Sequence, residues 1–321
     1  MKAIVHRAFG SPDVLKLEEI DKPVPGDNEV LIKVRAASIN PLDWRMVMGA
    51  PSFVLMLFGL RKGKINRPGK DVAGRVEAVG AKVTRFQRGD EVFGACRGSC
   101  AEFACGPESM LAIRPESMTA EHAASVPIAA ITALQGLRDK GQIRAGHKVL
   151  INGAAGGVGT FAVQIARSFG ADVTGVCSTK NMAMVRSIGA GHVVDYTRED
   201  FVSKPERYDL ILDCVGNRTL SEYKRVLQRE GRCVMIGAPK QMAAALSFML
   251  KAFVASWLSN RFHVFMARMN ARDLELLADL MVAGKVTPVI DRRFRLSETR
   301  DAMRYAMEGH TRGKVVITVG T

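Results

Sequence analysis

The chain places a cluster of glycines directly between an apolar run and a segment with a helical apolar period. The apolar run is residues 148–153, and the glycines have the spacing Gly153-x-x-Gly156-Gly157-x-Gly159. Glycines let a backbone turn tightly and approach a pyrophosphate, whose charge the unpaired N–H groups opening the helix stabilise. An ordinary strand-to-helix turn is the plainer interpretation, but the strand–turn–helix context favours a dinucleotide site. The predicted contacts are Asn152, Ala155, Gly156, Gly157 and Val158.

The end of the next predicted strand, Asp172–Cys177, indicates which dinucleotide binds. NAD-binding chains place an acid about 20 residues after the glycines, where it holds the ribose 2′-OH. This chain has Ser178, Thr179 and Lys180 there. Hydroxyls and a cation suit a 2′-phosphate, although a lysine that simply begins a solvated helix is the alternative. We therefore predict NADP(H) as the cofactor.

Length and composition are typical of a globular protein that is large enough for two domains. The 321 residues are 47% hydrophobic and 24% charged, which excludes a disordered or fibrous chain. No apolar stretch reaches the ~18 residues of a membrane span, and we expect no signal peptide, because the first residues enter an apolar alternation without an h-region. We therefore expect a cytoplasmic protein without a membrane span.

Cysteine usage argues against both a disulfide framework and a metal site. The six cysteines include Cys96, Cys100 and Cys105, but their spacing forms no paired CxxC ligands, and no histidine lies nearby to complete a tetrahedral site. We expect reduced thiols and no metal ion.

The formal net charge of +14 invites nucleic acid or an anionic membrane as a partner. However, the lysines and arginines are scattered along the chain, and only 6% of residues are aromatic. A diffusely basic surface that attracts an anionic cofactor explains the charge more simply. Nucleic acid is therefore not expected to be the main partner.

The pattern of strands changes near residue 121. Before it, short alternating apolar segments are separated by Gly and Pro, which favours an all-β, barrel-like domain. After it, strands and helices alternate, which favours a doubly wound parallel sheet. The chain then returns to β character near residue 313. The predicted strands are 2–6, 29–36, 71–79, 90–93, 101–104, 148–153, 172–177, 192–195, 209–214, 232–236, 262–265 and 313–319, with late helices at 273–284 and 297–308.

Several stretches make the chain resemble the medium-chain dehydrogenase/reductase superfamily, and within it the zinc-free quinone oxidoreductase and enone reductase branch. They are Met1–Val5, Ala36–Asp43, Gly69–Val76, Gly89–Gly94, the AAGGVG run and Gly313–Val316. The resemblance implies an α/β protein with two domains. It implies a GroES-like β-barrel catalytic domain, residues 1–122 and 287–321, and a Rossmann-type NADP(H)-binding domain with a doubly wound parallel sheet, residues 123–286.

The resemblance also bears on zinc. Zinc-dependent relatives ligate their metal with a cysteine where this chain has Asn40, and with a histidine where it has Lys70. A lysine ammonium would repel Zn²⁺, so we expect no metal. Without a Lewis acid, oxidation of a simple alcohol is difficult, whereas a quinone or an α,β-unsaturated carbonyl spreads the developing charge by itself.

The expected catalytic residues are Asn40, Asp43, Lys70 and Thr132. The Asn40 amide would face the substrate, Asp43 would be an orienting group beside Asn40, and Thr132 would contact the nicotinamide end. The alternatives are structural: Asn40-Pro41 is an ordinary turn, Asp43 suits a helix cap, and Thr132 can bond within its own helix. By resemblance, Tyr196 would stack on the adenine. The remaining expected cofactor contacts are Cys214, Val215, Gly216, Ile236, Gly237 and Lys314.

The substrate pocket is expected to draw on residues 51–58 and 241–258, which equally suit core or dimer packing, and the assembly expected is a homodimer. The function that best fits is NADPH-dependent reduction of quinones or enones. Two alternatives stay open: an alcohol or carbonyl dehydrogenase, which Lys70 argues against, and a non-catalytic NADPH-sensing or nucleic-acid-binding protein.

Overall fold

The structure of the chain is a computed structural model that describes residues 1–49, 63–237 and 261–320. Residues 51–58 and 241–258, on which the substrate pocket is expected to draw, lie outside the described residues. The chain divides into two compact units. The first contains Met1–Ala129, Met269–Gly284 and Pro288–Thr321, and the second contains Ala130–Arg268 and Lys285–Thr287.

The strands and helices are numbered in chain order. The strands are β1 Lys2–Val5, β2 Lys16–Glu19, β3 Glu29–Ile39, β4 Asp71–Val79, β5 Glu91–Ala95, β6 Phe103–Pro107, β7 Leu111–Ile113, β8 Lys148–Asn152, β9 Asp172–Cys177, β10 His192–Asp195, β11 Tyr208–Asp213, β12 Leu227–Met235, β13 Phe262–Val264, β14 Ile290–Arg295 and β15 Lys314–Thr318. The α-helices are α1 Pro41–Met48, α2 Ala120–Ser125, α3 Pro127–Gln135, α4 Gly157–Ser168, α5 Met182–Ser187, α6 Leu220–Val226, α7 Ala271–Val282 and α8 Thr299–Glu308.

The first unit contains a seven-stranded, mainly antiparallel sheet. Its order is β14-β15-β3-β4-β5-β7, with β6 also paired to β3. β15 pairs with β3, so the C-terminal segment rejoins the N-terminal sheet as the resemblance implied. Buried aliphatic side chains such as Ile32, Val72 and Val92 form the core beneath it.

The register of this sheet brings polar residues from distant parts of the chain to one place. Ser38 on β3 lies opposite Asp71, the first residue of β4. Val315 lies opposite Ile39, so Lys314 at the start of β15 and Asn40 at the end of β3 become neighbours.

The second unit contains a six-stranded parallel sheet in the order β10-β9-β8-β11-β12-β13. This confirms the parallel sheet and the sixth strand at Phe262–Val264. The strand order reverses between β8 and β11, where Asn152 and Asp213 lie side by side at the carboxyl ends. Ligands of such sheets bind at this switch point.

Some element boundaries differ from the sequence-based expectations. β3 continues to Ile39, three residues beyond its predicted end. Its last four residues are all buried between β4 and β15, so they lack the alternation of apolar and polar residues that marks a strand with one exposed face. β12 begins at Leu227, five residues early. The helix α7 groups with the first unit, although the sequence division assigns it to the nucleotide-binding domain. Among the described residues, no helix is long and apolar enough to cross a membrane.

Candidate functional site

The glycine-rich turn connects β8 to α4 in the manner that the spacing predicts. Gly153 has a φ of +83°, a left-handed conformation that favours glycine. The N–H of Ala154 donates to the carbonyl of Val176 at 3.0 Å, which ties the turn to β9. Gly156 then caps α4 with extended backbone. The first N–H groups of a helix have no intrahelical acceptor, so they are available to a phosphate.

Two glycines of this turn have different physical roles. A Cβ at Gly159 would lie 2.1 Å from the carbonyl oxygen of Gly153, so this glycine is needed for the helix to pack against the turn. A Cβ at Gly156 would meet only that same oxygen, at 3.5 Å, and the φ of Gly156 is an ordinary −81°. Because folding does not require glycine at 156, the open space there fits the approach of a pyrophosphate.

The side chain of Asn152 is used within the protein. It is 3% exposed, and its amide donates to the carboxylate of Asp213 and to the side-chain oxygen of Asn217, both at 2.9 Å. The hydroxyl of Tyr223 is 3.3 Å from the same amide nitrogen. The side-chain nitrogen of Asn152 is therefore used within the protein, and a contact of this residue with the cofactor stays a prediction.

Asp213, which sequence reasoning missed, organises the loop that follows β11. Its carboxylate accepts hydrogen bonds from the backbone N–H groups of Val215 and Gly216, at 3.0 and 3.1 Å. A Cβ at Gly237 would lie 2.3 Å from the carbonyl carbon of Cys214. The predicted cofactor residues after β11 and β12 therefore lie together, and the signal for Asp213 was an acid at the end of a buried parallel strand.

The predicted 2′-phosphate segment has an unexpected neighbour. Thr179 donates its hydroxyl proton to the carboxylate of Asp195, at the end of β10. Hydrogen bonds from Thr179 and Thr197 lower the pKa of Asp195, and Arg198 lies 3.7 Å from this carboxylate. The hydroxyl proton of Thr179 is thus committed to an acid. A local reading of the segment could not find Asp195, which is 16 residues further along the chain.

The other predicted site residues of the second unit, four expected to bind the cofactor and Thr132 expected to be catalytic, occupy varied environments. Ser178 is half-buried and Lys180 is exposed. Tyr196 is 56% exposed, which leaves its ring accessible for stacking. Thr132 is half-buried in α3, and Ala155 is buried within the glycine-rich turn. Their roles stay predictions.

In the first unit, a cluster of buried polar side chains surrounds Asn40. The polar cluster consists of Ser38, Asn40, Asp43, Asp71 and Lys314, each at most 4% exposed. The Asn40 amide donates to Asp71 Oδ2 at 2.8 Å, and its Oδ1 accepts from Lys314 Nζ at 2.5 Å. Ser38 donates to the same Asp71 oxygen at 2.8 Å. The sequence therefore brings Asn40 and Asp43 together as predicted, and the fold adds Asp71 and Lys314.

Asp43 also caps α1, because its carboxylate accepts the backbone N–H of Asn40 at 2.8 Å. The alternative interpretation expected Asp43 to be the N-cap residue itself, but the N-cap is Asn40 and Asp43 completes the capping box from position N3. Burial, and then the negative charge of Asp71, raise the pKa of Asp43 to about 7. Burial lowers the pKa of Lys70, against the opposing influence of Asp43. The two groups share one electrostatic environment in which neither charge is well solvated.

Lys314, which we predicted as a cofactor contact, lies in this polar cluster. It is 2% exposed, and its ammonium lies 3.3 Å from Asp71 in addition to its bond with Asn40. Asp71 could have been noticed in the sequence because it follows Lys70 and begins a predicted strand. Its contact with Asn40 is visible only from the sheet register.

The residues at the two positions that correspond to zinc ligands do not fit zinc. The Asn40 oxygen already accepts from an ammonium, and Lys70 carries a cationic group. Burial raises the pKa of the nearby thiols of Cys96 and Cys100, whereas a metal needs the thiolate. Over the described ranges, no group of three His, Cys, Asp or Glu residues could hold a metal ion.

Two family models match the chain. Residues 26–132 match the alcohol dehydrogenase GroES-like domain, and residues 188–317 match a family described as zinc-binding dehydrogenase. The words zinc-binding dehydrogenase describe the second family, and Asn40 and Lys70 lie outside the residues that it matches.

Similar proteins align with almost the whole chain. The chloroplast envelope quinone oxidoreductase homolog of Arabidopsis thaliana is 32% identical over 99% of this chain and 98% of its own. The NADPH-dependent alkenal/one oxidoreductase of the same plant is 32% identical over 99% of this chain and 79% of its own. The quinone oxidoreductase from Coxiella burnetii, a solved structure, is 31% identical with a TM-score of 0.88, over 100% of this chain and 99% of that one.

Proposed function

The chain belongs to the medium-chain dehydrogenase/reductase superfamily, in its quinone oxidoreductase and enone reductase branch, and from this premise we propose that it is an NADPH-dependent oxidoreductase that reduces quinones or α,β-unsaturated carbonyls without a metal ion. The names of similar proteins support this substrate class, since they include quinone oxidoreductases and an alkenal/one oxidoreductase. Lys70 and the occupied amide of Asn40 support chemistry without zinc.

The nicotinamide cofactor would be held at the carboxyl edge of the parallel sheet in the second unit. The pyrophosphate would occupy the open space at Gly156, where the N–H groups that begin α4, those of Gly157 and Val158, could donate to it. Ser178 and Lys180 would bind the 2′-phosphate, and Arg198 offsets the charge of Asp195. Tyr196 would stack on the adenine, and the backbone of 214–216 with Gly237 and Thr132 would hold the nicotinamide end.

When bound, NADPH supplies a hydride to the β-carbon of an enone or to a quinone. The residues of this chain bind and polarise the acceptor. The side-chain nitrogen of Asn40 carries two hydrogens, of which one is donated to Asp71. The second is the donor for the oxygen on which negative charge develops, and such a donor stabilises the transition state most where water is excluded. Asp43 keeps the Asn40 backbone in place, and the final proton comes from water.

The assembly and the location follow from the same proposal. We expect a homodimer in the cytoplasm, with residues 1–122 and 287–321 acting as the catalytic domain and residues 123–286 as the nucleotide-binding domain. Sedimentation equilibrium and cell fractionation test the first two points, and expression of residues 123–286 alone with a measurement of NADPH binding tests the third.

The decisive experiment is steady-state NADPH oxidation with a panel of quinones, enones and simple alcohols. Activity with the first two classes and none with alcohols is expected. Oxidation of alcohols would favour the dehydrogenase alternative. NADPH binding without turnover would favour a sensing role.

The proposed site is tested by single-turnover hydride transfer from NADPH that is deuterated at C4. Loss of one polarising hydrogen bond costs about 3 kcal/mol or less, which is about 10²-fold in rate. Asn40→Ala and Asp43→Ala should each slow transfer by roughly 10- to 100-fold while NADPH affinity stays near that of the wild type. Wild-type rates in both variants would assign these residues to turn formation and capping alone.

A further inference from the structure

We propose that Asp71 and Lys314 are positioning residues, which hold the side-chain amide of Asn40 in the one orientation that directs an N–H group to the substrate. The proposal rests on the proposed function and deepens it. It also gives Lys314 a role other than the cofactor contact expected from the sequence.

The two partners of Asn40 determine which way its amide points. Lys314 Nζ donates to Asn40 Oδ1 at 2.5 Å, and Asn40 Nδ2 donates to Asp71 Oδ2 at 2.8 Å. An ammonium can only donate, and an ionised carboxylate can only accept. A flipped amide would place a donor against the ammonium and an acceptor against the carboxylate, so both hydrogen bonds would be lost. The orientation is therefore unambiguous.

The partners themselves are held firmly. Asp71 is fully buried, and its carboxylate also accepts from the Ser38 hydroxyl at 2.8 Å and from the backbone N–H of Ile128 at 3.0 Å. Lys314 is fixed at the start of β15 by the pairing of that strand with β3. Each group therefore has little freedom to move away from Asn40.

A need for stability alone does not account for this ion pair. Lys314 and Asp71 are both withdrawn from water and lie 3.3 Å apart, and well-packed apolar residues often stabilise a fold as well as a buried pair of this kind. Apolar residues could not orient an amide. A donor on one side of Asn40 and an acceptor on the other can do so, and the remaining N–H hydrogen then has a defined direction.

The test removes both charges together, so that no unpaired charge is left buried. In the variant Asp71→Asn/Lys314→Met, the kcat for enone reduction should fall by about 10- to 100-fold, to the level of Asn40→Ala, while the Kd for NADPH stays within about twofold of wild type. Adding Asn40→Ala to this variant should cause no further loss, because residues that act through Asn40 have nothing to position once it is gone.

A matched control removes a partly buried ion pair elsewhere in the same unit. Arg114 and Glu91 lie 3.0 Å apart, and Glu91 pairs with Arg75, four residues along β4 from Asp71. The variant Glu91→Gln/Arg114→Met should keep a wild-type kcat although it loses both ion pairs of Glu91, the one with Arg114 and the one with Arg35. Thermal unfolding of both double variants shows whether they are comparably folded.

An exchange variant keeps the proposal testable if the double variant does not fold. Asn40→Asp/Asp71→Asn preserves the net charge and keeps a carboxylate beside Lys314, but it removes the N–H donor from position 40. Its kcat should fall as in Asn40→Ala.

Four results would overturn the inference: a wild-type kcat in Asp71→Asn/Lys314→Met, a wild-type kcat in the exchange variant, a multiplied loss when Asn40→Ala is added, or a tenfold weaker NADPH affinity, which would assign Lys314 to the cofactor. If the wild-type protein itself reduces no quinone or enone, the proposed function fails, and that outcome is seen before any variant is made.

Discussion

Replacement of Asp43 by asparagine should remove a large part of the pH dependence of this protein's stability. Asp43 is buried, and its carboxylate accepts the backbone N–H of Asn40 at 2.8 Å. Burial and the neighbouring Asp71 raise its pKa from 3.8 to about 7. Between these values the folded protein holds a proton that the unfolded chain has released. The free energy of unfolding therefore falls as the pH rises from about 4 to 7.

The magnitude follows from the shift. A pKa raised by about three units corresponds to about 4 kcal/mol of destabilisation once Asp43 is fully ionised in the folded state. Between pH 5 and pH 8, the same linkage gives a loss of about 2.5 kcal/mol. Asparagine can still accept the Asn40 N–H through its Oδ1 but does not titrate, so Asp43→Asn should lack this component of the loss.

The assay is urea denaturation of both proteins at pH 5 and pH 8, with the linear dependence on urea giving the free energy of unfolding. The fluorescence of Trp44, next to Asp43 in α1, reports on the first unit if the second tryptophan, Trp257, is replaced by phenylalanine. Asp27→Asn is the control, since Asp27 is exposed and should leave the pH dependence unchanged. Equal losses of stability in the wild type and Asp43→Asn between the two pH values would refute the reasoning.

Three further predictions concern the cofactor and the metal. Gly156→Val should abolish NADPH binding in fluorescence titration and leave the free energy of unfolding near that of the wild type. Gly159→Ala should instead destabilise the fold, because its Cβ would lie 2.1 Å from a carbonyl oxygen. NADPH binding by a folded Gly156→Val protein would contradict the first expectation. Lys180→Ala should weaken NADPH by roughly 10- to 100-fold, about 1.5 to 3 kcal/mol, and leave NADH nearly unchanged. Lys204→Ala serves as its control, and equal affinity of the wild type for the two cofactors would count against the 2′-phosphate assignment. The purified protein should contain no stoichiometric zinc and should keep its activity under a strong chelator. Elemental analysis that finds about one zinc per chain, lost together with the activity, would refute this prediction.

Much of the second unit could be predicted from local sequence. The apolar runs mark the parallel strands, and the glycines mark the turn before α4, because both signals depend on residues that are close in the chain. The bounds of β9 and β10 agree with the prediction residue for residue. The roles of side chains at the carboxyl edge were less accessible. Asn152 was predicted as a cofactor contact, but its side-chain nitrogen donates to Asp213 and Asn217, which are more than 60 residues away in the chain.

The 2′-phosphate segment shows the same limit. Ser178, Thr179 and Lys180 were recognised because they directly follow β9. The acid that takes the Thr179 hydroxyl comes from the end of the adjacent strand, β10. Only the pairing of the two strands brings Asp195 to Thr179.

The α/β class and the strand–glycine–helix turn follow from the amino-acid sequence alone, because residue type and local period carry this information. The resemblance implied in addition that Asn40 and Lys70 stand where zinc-dependent relatives have ligands. What surrounds Asn40 depends on the tertiary structure. Asp71 is 31 residues away in the chain and Lys314 is 274 residues away, and the registers of β4 and β15 against β3 bring both to the same amide. A strand register depends on pairing across the whole sheet, so the chemistry of the polar cluster is a property of the fold.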